Sequence, residues 1–152
     1  MSTINGLPAH VLLVHVVVVF VPLTALTLVL CAVWPAARRR LIWPAVALAA
    51  LTTALTPVTI SAGQSFARRF GPSEALRTHT ELGETMNYFA VPLLLVAAAL
   101  LVLHRREQRD RPLARALVWV IAVLTIAASA AATVQTFRVG DSGSRAVWGQ
   151  MT

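Results

Sequence analysis

The stretch VLLVHVVVVFVPLTALTLVLCAVW, residues 11–34, decides the fold of this chain. A run of about 20 predominantly apolar residues is the length of an α-helix that crosses the hydrocarbon core of a bilayer. Three further runs follow at residues 41–61, 82–103 and 113–134, each closed by a cluster of Pro, Arg or Gly. We therefore predict an all-α integral membrane protein that forms a four-helix bundle.

The composition supports a single membrane domain. The chain has 152 residues, of which 57% are hydrophobic and 12% charged, and its mean hydropathy is +0.72, whereas a globular domain carries about 25% charged residues. Four helices use most of this length, so we predict one domain over residues 1–152. The predicted helices cover residues 9–34, 41–62, 80–104 and 112–136, with a loop at 63–79 and a tail at 137–152.

Arginine provides all 13 basic residues and the net charge of +7. The arginines stand at the ends of the apolar runs rather than on a basic face with interleaved aromatic side chains, so the bilayer, not nucleic acid, is the predicted partner. Eight of them lie in the two loops at residues 38–40 and 105–115. Because cytoplasmic loops carry the Arg excess, we predict a multi-pass protein of the bacterial inner (plasma) membrane with both termini outside.

The two halves of the sequence resemble each other. Short loops after the first and third runs predict two antiparallel hairpins. His10 and His15 stand five residues apart at the start of the first hairpin, and His79 and Glu84 stand five apart at the start of the second. This pattern is compatible with two parallel repeats about an axis along the membrane normal.

Ionisable residues collect on the predicted outer side of the bundle. Such residues are costly inside a membrane and usually face the bundle interior. We predict that His15 and Glu84 hydrogen-bond directly or through one water, because both lie about one and a half turns inside their helices. The predicted structural network contains His15, Glu84, Glu81, Arg138 and Asp141. At the other side, His104 is predicted to be a solvated helix end.

The same ionisable residues are also candidate ligands for a metal ion or a haem. Imidazole and carboxylate groups bind zinc, copper, iron or nickel, and the candidate metal ligands are His10, His15, His79 and Glu84. Five residues turn a helix by about 140°, so His10 and His15 do not easily hold one small ion together. A site needs one histidine from the first helix and one from the third. A b-type haem tolerates that span, and its candidate ligands are His10, His15 and His79.

Common enzyme signatures are missing from the sequence. It contains no phosphate-binding glycine loop and none of the motifs HExxH, CxxC and GxSxG. The leading interpretation is a non-enzymatic membrane subunit that associates with other membrane or redox subunits or with itself. A haem- or metal-binding electron carrier is the alternative. A transporter or small channel is disfavoured, because the inner halves of the runs hold no ionisable residue.

The loop and the tail carry further signals. Phe66 and Phe70 stand four apart around two arginines, which suits an amphipathic turn at the membrane interface. Thr78 or Thr80 is predicted to cap the third helix. The tail contains Trp148, a residue type enriched at headgroup depth, and we predict that residues 138–149 fold back over the outer mouth of the bundle.

Four short motifs resemble a known family. They are GLPAHVLLVH at residues 6–15, AG at 62–63, HTELGE at 79–84 and RVGDSGSRAVWG at 138–149. Their order and spacing are similar, over nearly the whole chain, to a bacterial four-helix membrane family, the domain of unknown function 2231. The resemblance implies a place near electron transfer, because some members are fused to, or found beside, Rieske iron–sulfur or cytochrome domains.

Four of the candidate site residues match positions of that family: His10, His15, His79 and Glu84. The tail motif of the family often has His where this chain has Asp141. The resemblance therefore implies a weaker multi-histidine metal site here, with a carboxylate that pairs with Arg138 or with a protonated histidine instead.

Overall fold

A computed structural model describes residues 3–4, 7–69 and 73–148 of the chain. Two strands of two residues, β1 (Thr3–Ile4) and β2 (Leu7–Pro8), pair antiparallel before the first helix and were not expected from the sequence. Within the described residues, the helices are α1 (Ala9–Val33), α2 (Pro35–Ala67), α3 (Glu74–Glu84), α4 (Asn87–Gln108) and α5 (Arg115–Trp148).

Four segments of the described chain are long and apolar enough to cross a bilayer: His10–Val33, Pro35–Ala67, Glu74–Gln108 and Arg115–Ala146. The third segment contains both α3 and α4, which a turn at Thr85 and Met86 separates. Large apolar side chains such as Leu26, Leu95 and Val123 are exposed on the bundle surface, as expected where lipid replaces water. The predicted all-α architecture with four membrane-spanning helices is confirmed.

The spanning helices pack in a ring in the order α1, α2, α4, α5, and α1 also touches α4 across the ring. Fully buried side chains line this central contact, Val21 and Leu28 on α1 and Leu93 and Leu100 on α4. A spacing of seven residues keeps each pair on one helix face. Small buried residues on α2 and α5 allow these helices to approach α1 and α4 closely: Ala45, Ala49 and Ala132.

The bundle has two chemically different ends. At the arginine end, α1 meets α2 at the single residue Trp34 and α4 meets α5, so that the arginines of residues 38–40 and 105–115 collect there. At the histidine end, α1 and α3 begin and α2 and α5 finish, and this end carries His10 and His79. α2 has 33 residues and is about 50 Å long, which exceeds the roughly 30 Å of a hydrocarbon core.

Most of the predicted loop at residues 63–79 is helical. α2 occupies its first turn, and α3 begins after Ser73, whose hydroxyl accepts the backbone N–H of Leu76 at 3.2 Å. Thr78 and Thr80, the predicted caps, lie inside α3 and donate to carbonyls one turn earlier. Ser73 serves as the cap because it precedes the first free N–H groups of the helix, which a hydroxyl oxygen can satisfy.

The predicted tail continues α5 as a helix through Trp148 instead of folding back over the bundle. Local contacts favour the helix: Asp141 and Arg145 form an i,i+4 ion pair at 3.0 Å, and Ser144 donates to the Asp141 carbonyl at 2.7 Å. The side chain of Trp148 lies outside the described residues, so its predicted position at headgroup depth stays a prediction.

Candidate functional site

His10, near the start of α1, ties that helix to the last turns of α2. Its Nδ1 lies 3.2 Å from the carbonyl oxygen of Thr59, and its ring stacks on Phe66 with centroids 6.1 Å apart at an angle of 29°. Phe66 therefore packs within the histidine end as part of α2. Phe70, its expected partner in an amphipathic turn, lies outside the described residues.

Gly63 permits the close approach of His10 to α2. A Cβ atom at this position would lie 2.7 Å from Cε1 and 3.0 Å from Nδ1 of the imidazole. Two unbonded carbon atoms do not approach this closely, because their optimal separation is about 3.5–4.0 Å. Any side chain at residue 63 would therefore displace the ring or separate α1 from α2.

His79 on α3 meets α5 in a similar manner. Its Nδ1 lies 3.1 Å from Oγ of Ser142, and Ser142 donates to the carbonyl of Val139 at 2.9 Å. A Cβ atom at Gly143 would lie 3.1 Å from Cε1 of His79, so a glycine again lets an imidazole lie against a neighbouring helix.

The two contacts correspond in sequence. Each histidine packs on a glycine and is linked to the carbonyl four residues before that glycine, His10 directly to Thr59 and His79 through the Ser142 hydroxyl to Val139. The histidines are 69 positions apart, and the glycines are 80 positions apart. The structure therefore places one predicted histidine from the first span and one from the third at the same end of the bundle.

The hydrogen bonds determine which nitrogen of each ring carries the proton. The Thr59 carbonyl can only accept, so Nδ1 of His10 donates and Nε2 keeps its lone pair. Ser142 directs its own hydrogen to Val139, so its oxygen accepts from Nδ1 of His79. Both rings thus use Nδ1–H within the protein and keep an Nε2 lone pair, as metal-ligating histidines do.

His15 and Glu84 do not form the predicted direct hydrogen bond. Nδ1 of His15 donates to the carbonyl of Val11 on its own helix at 2.6 Å, and the side chain is exposed. Glu84 accepts from the side-chain amide of Gln64 on α2 at 2.8 Å. The physical reason lies in the helix: five residues rotate His15 by about 140° from His10, which turns it away from the interior.

The other members of the predicted network pair within their own helices. Glu81 bonds Arg77 on α3 at 2.8 Å, and Asp141 bonds Arg145 on α5 at 3.0 Å rather than Arg138 or a histidine. Arg138 is exposed. Asp141 and Arg145 have the acidic-before-basic order that is favourable on a helix, whereas Arg77 and Glu81 have the reverse order.

The candidate metal ligands predicted from the sequence do not gather at one point of the described structure. Among the residues that the structure describes, no group of three or more His, Cys, Asp and Glu side chains could hold a metal ion. His10 and His79 lie at the same end of the bundle, whereas His15 and Glu84 bond elsewhere. The arrangement therefore offers two histidine ligands rather than the three or four that a zinc ion takes.

A groove of about 420 Å³ lies between α1 and α5. Its lining residues are Val18, Pro22, Thr133, Thr136, Phe137, Gly140, Asp141 and Ser144. None of the candidate histidines lines this groove, so it is separate from the surroundings of His10 and of His79.

Gln135 is a polar contact that sequence reasoning missed. Its side-chain amide donates to the Leu82 carbonyl at 3.2 Å and to the Thr85 hydroxyl at 2.8 Å, which joins α5 to the end of α3. A buried hydroxyl pair, Thr24 and Thr52 at 3.1 Å, joins α1 to α2. The sequence feature that could have indicated the Gln135 contact is an amide side chain at the end of an apolar run, because such side chains often bond across helices in membranes.

Arg38 forms a buried ion pair that the sequence did not reveal. Its side chain is 3% exposed and donates to both carboxylate oxygens of Glu107 on α4, at 2.7 and 3.1 Å. Its remaining nitrogen donates to the Cys31 carbonyl at 2.7 Å. Since Cys31 lies in the last turn of α1, Arg38 caps that helix and also joins α2 to α4.

His104 is buried, at 5% exposure, rather than solvated as predicted. Its Nε2 shares a hydrogen bond of 3.2 Å with Gln108, and its Nδ1 has no hydrogen-bond partner within the described part of the chain. Each residue turns an α-helix by about 100°, so α4 directs His104 inward while the adjacent Arg105 and Arg106 are exposed.

The family assignment follows from a comparison with known protein families. Residues 6–152 match the family described as predicted membrane protein (DUF2231). The chain belongs to the DUF2231 family. The match includes all four spanning segments and both histidine–glycine contacts of this DUF2231 chain. No curated protein and no solved structure matches the sequence.

Proposed function

We propose that this protein is a non-enzymatic membrane subunit that binds a b-type haem through Nε2 of His10 and Nε2 of His79. The observation that supports the proposal best is the pair of anchored imidazoles, because each ring donates Nδ1–H to protein and keeps an Nε2 lone pair. Two protein ligands suffice for haem iron, whereas zinc takes three or four. The donor set therefore favours haem over a small ion.

Residues of the neighbouring helices α2 and α5 would orient the two proposed ligands. The Thr59 carbonyl bonds His10 from α2, and Ser142 bonds His79 from α5, with a glycine against each ring. Hydrogen bonds of this kind fix the orientation of a ligating imidazole and raise its basicity. A bound haem would supply one-electron transfer, with a potential that depends on the axial ligands and on burial.

We also propose that the two halves of the chain are parallel repeats, which would make the two ligands equivalent by symmetry. Buried positions of α1 recur 69 positions later: Val17, Val21, Thr24, Leu28 and Cys31 correspond to Met86, Ala90, Leu93, Ala97 and Leu100. Buried positions of α2 recur 80 positions later: Ile42, Ala45, Ala49, Thr52 and Thr56 correspond to Ala122, Thr125, Ser129, Ala132 and Thr136. The ring order supports the repeat, because exchanging α1 with α4 and α2 with α5 leaves that order unchanged.

We assign the arginine end to the cytoplasm of a bacterium, with both termini and the histidine end outside the inner membrane. Eight of the 13 arginines support this orientation, since cytoplasmic loops carry the Arg excess. The proposed haem would then face partners on the outer side. Membrane-bound redox subunits are the partners that the fusions within the family favour.

A transporter or channel receives less support. Substrate and ion sites of transporters usually lie near the membrane midplane, where charged groups are retained for function. The buried polar groups at that depth on α1 and α2 are the hydroxyls of Thr24 and Thr52, which bond each other. This pair supports a structural role between helices rather than a path for ions.

The absorption spectrum of the purified, full-length protein, expressed with an adequate haem supply, tests the proposal. We expect a Soret band that shifts on reduction and that is lost in His10→Ala and in His79→Ala. His15→Ala is the matched control, because its ring bonds only its own helix, and it should retain the band. The melting temperature of each variant distinguishes loss of the ligand from loss of the fold.

A colourless, metal-free protein with an ordinary melting temperature would overturn haem binding and leave His10 and His79 a structural role. Retention of the full Soret band in both His10→Ala and His79→Ala would also contradict the proposal. Loss of the band in folded His15→Ala, with the other two variants unchanged, would show that His15 is a ligand and that His10 and His79 are not.

A further inference from the structure

The arginine end carries a positive charge that the protein itself does not neutralise. The arginines at residues 39–40 and 105–115 are exposed, and none of them forms an ion pair with a described residue. Glu107, one of the two acidic side chains in these loops, already bonds the buried Arg38. These exposed guanidinium groups therefore remain available to an external anion.

One aromatic side chain positions part of this charge. The Arg105 guanidinium on α4 lies over the ring of Trp43 on α2, 5.4 Å from the ring centroid. Trp43 is 56% exposed, so the pair stands on the surface where α2 packs against α4. A cation–π contact restrains a guanidinium without consuming its N–H donors, which leaves the donors of Arg105 available.

Further charges and an apolar stripe extend from this pair along both helices. Arg39 precedes Trp43 by one turn of α2 and lies on the same helix face towards the arginine end, and Arg109 directly follows the last residue of α4. In the opposite direction, Ala47 on α2 and Val102 on α4 are exposed on the faces that carry Trp43 and Arg105. The α2–α4 face therefore changes from cationic to apolar across Trp43.

We propose that the α2–α4 face at the arginine end binds an anionic phospholipid, with Arg39 and Arg105 at the phosphate and the acyl chains along the apolar stripe. Arginine recognises phosphate oxygens through its fork of N–H donors. Tryptophan is enriched at the depth of the headgroups, and basic sites between spanning helices bind anionic headgroups. A soluble anion has no apolar part that could contact the exposed Ala47 and Val102, whereas the acyl chains of a lipid do. This difference favours a lipid as the ligand.

Native mass spectrometry of the full-length protein in detergent, titrated with dioleoylphosphatidylglycerol, tests this site. We expect binding that is stronger than binding of dioleoylphosphatidylcholine. Each of Arg105→Gln and Arg39→Gln should weaken it by about fivefold, and Trp43→Leu should weaken it through Arg105. Arg138→Gln is the matched control, because Arg138 is exposed on a spanning helix at the histidine end, and it should bind like the unchanged protein.

Equal affinity for the two lipids would overturn the proposal. An equal loss in Arg138→Gln and Arg105→Gln would do the same, because it would show an effect of total charge rather than of a site. Displacement of the lipid by an equal concentration of inorganic phosphate would identify a soluble anion as the ligand instead, and displacement by a short RNA would identify a nucleic acid. The Soret band of each variant serves as an independent readout of the histidine end.

Discussion

Gly63 lies directly against the imidazole of His10, and a Cβ atom on this glycine would stand 2.7 Å from Cε1 of the ring. Gly143 stands in the same relation to His79, at 3.1 Å. The separation of the helices at the histidine end, and the direction of both Nε2 lone pairs, therefore depend on two positions that carry no side chain.

Gly63→Ala is expected to lower the free energy of unfolding by about 1–3 kcal/mol, because the added methyl group overlaps the His10 ring and its contact with Thr59. Gly143→Ala should cost less, since the ring of His79 needs to move by only a few tenths of an ångström. Thermal unfolding in detergent measures both effects.

Gly140→Ala is the matched control for this prediction. Gly140 lies on α5 three residues before Gly143, and a Cβ atom there would have no neighbour within 4 Å. Alanine is more favourable than glycine inside a helix by about 0.5–1 kcal/mol, so this variant should be slightly stabilised. Destabilisation of Gly140→Ala equal to that of Gly63→Ala would show that the steric argument fails.

Arg38→Met is expected to destabilise the protein by about 3 kcal/mol, at the low end for a broken buried ion pair because Glu107 is partly exposed. The variant leaves the Glu107 carboxylate without its bidentate partner and removes the donor to Cys31. Arg38→Met combined with Glu107→Gln should be less destabilised than the sum of the single variants. Equilibrium unfolding of the four proteins measures this coupling.

Arg77→Gln provides the comparison for the ion pair. Arg77 and Glu81 also bond at 2.8 Å, but their side chains are 79% and 61% exposed. An exposed i,i+4 pair contributes little to stability because water and salt screen it, so this variant should unfold almost like the unchanged protein. Similar losses in Arg77→Gln and Arg38→Met would contradict the importance assigned to burial.

Gln135→Leu is expected to lower the free energy of unfolding by about 1–3 kcal/mol, because the Thr85 hydroxyl and the Leu82 carbonyl lose a donor at a partly buried site. Gln64→Leu removes an exposed amide that bonds Glu84 and should have a smaller effect. Hydrogen exchange of α3 should increase in Gln135→Leu; unchanged exchange would show that this contact does not hold α3 to α5.

Cysteine labelling in intact cells tests the proposed orientation. The single native cysteine, Cys31, is fully buried and should not react with a membrane-impermeant thiol reagent. Ser73→Cys, between α2 and α3, is expected to react, and Gln108→Cys, at the end of α4, is expected to be protected. The reverse pattern would mean that the arginine end faces outside.

The sequence was sufficient for features that depend on consecutive residues. The length of an apolar run predicts a span because helix rise and bilayer thickness are constant, and the interruptions predict where the chain reverses. Since the spans alternate in direction, His10 and His79 were expected at one end of the bundle, where the structure has them. The glycines that contact the two imidazoles were visible in the motifs, but their steric role was not.

The sequence by itself therefore determined the number of spans, the excess of arginine at one end of the bundle and the position of His10 and His79 at the other. Only the tertiary structure decided that His15 turns away from Glu84, that Arg38 rather than its two neighbours is buried against Glu107, and that α5 continues through the predicted tail. These features depend on the rotation of each helix about its axis and on competition between local and distant partners. A shift of one residue rotates a side chain by about 100°, and composition alone does not specify that angle.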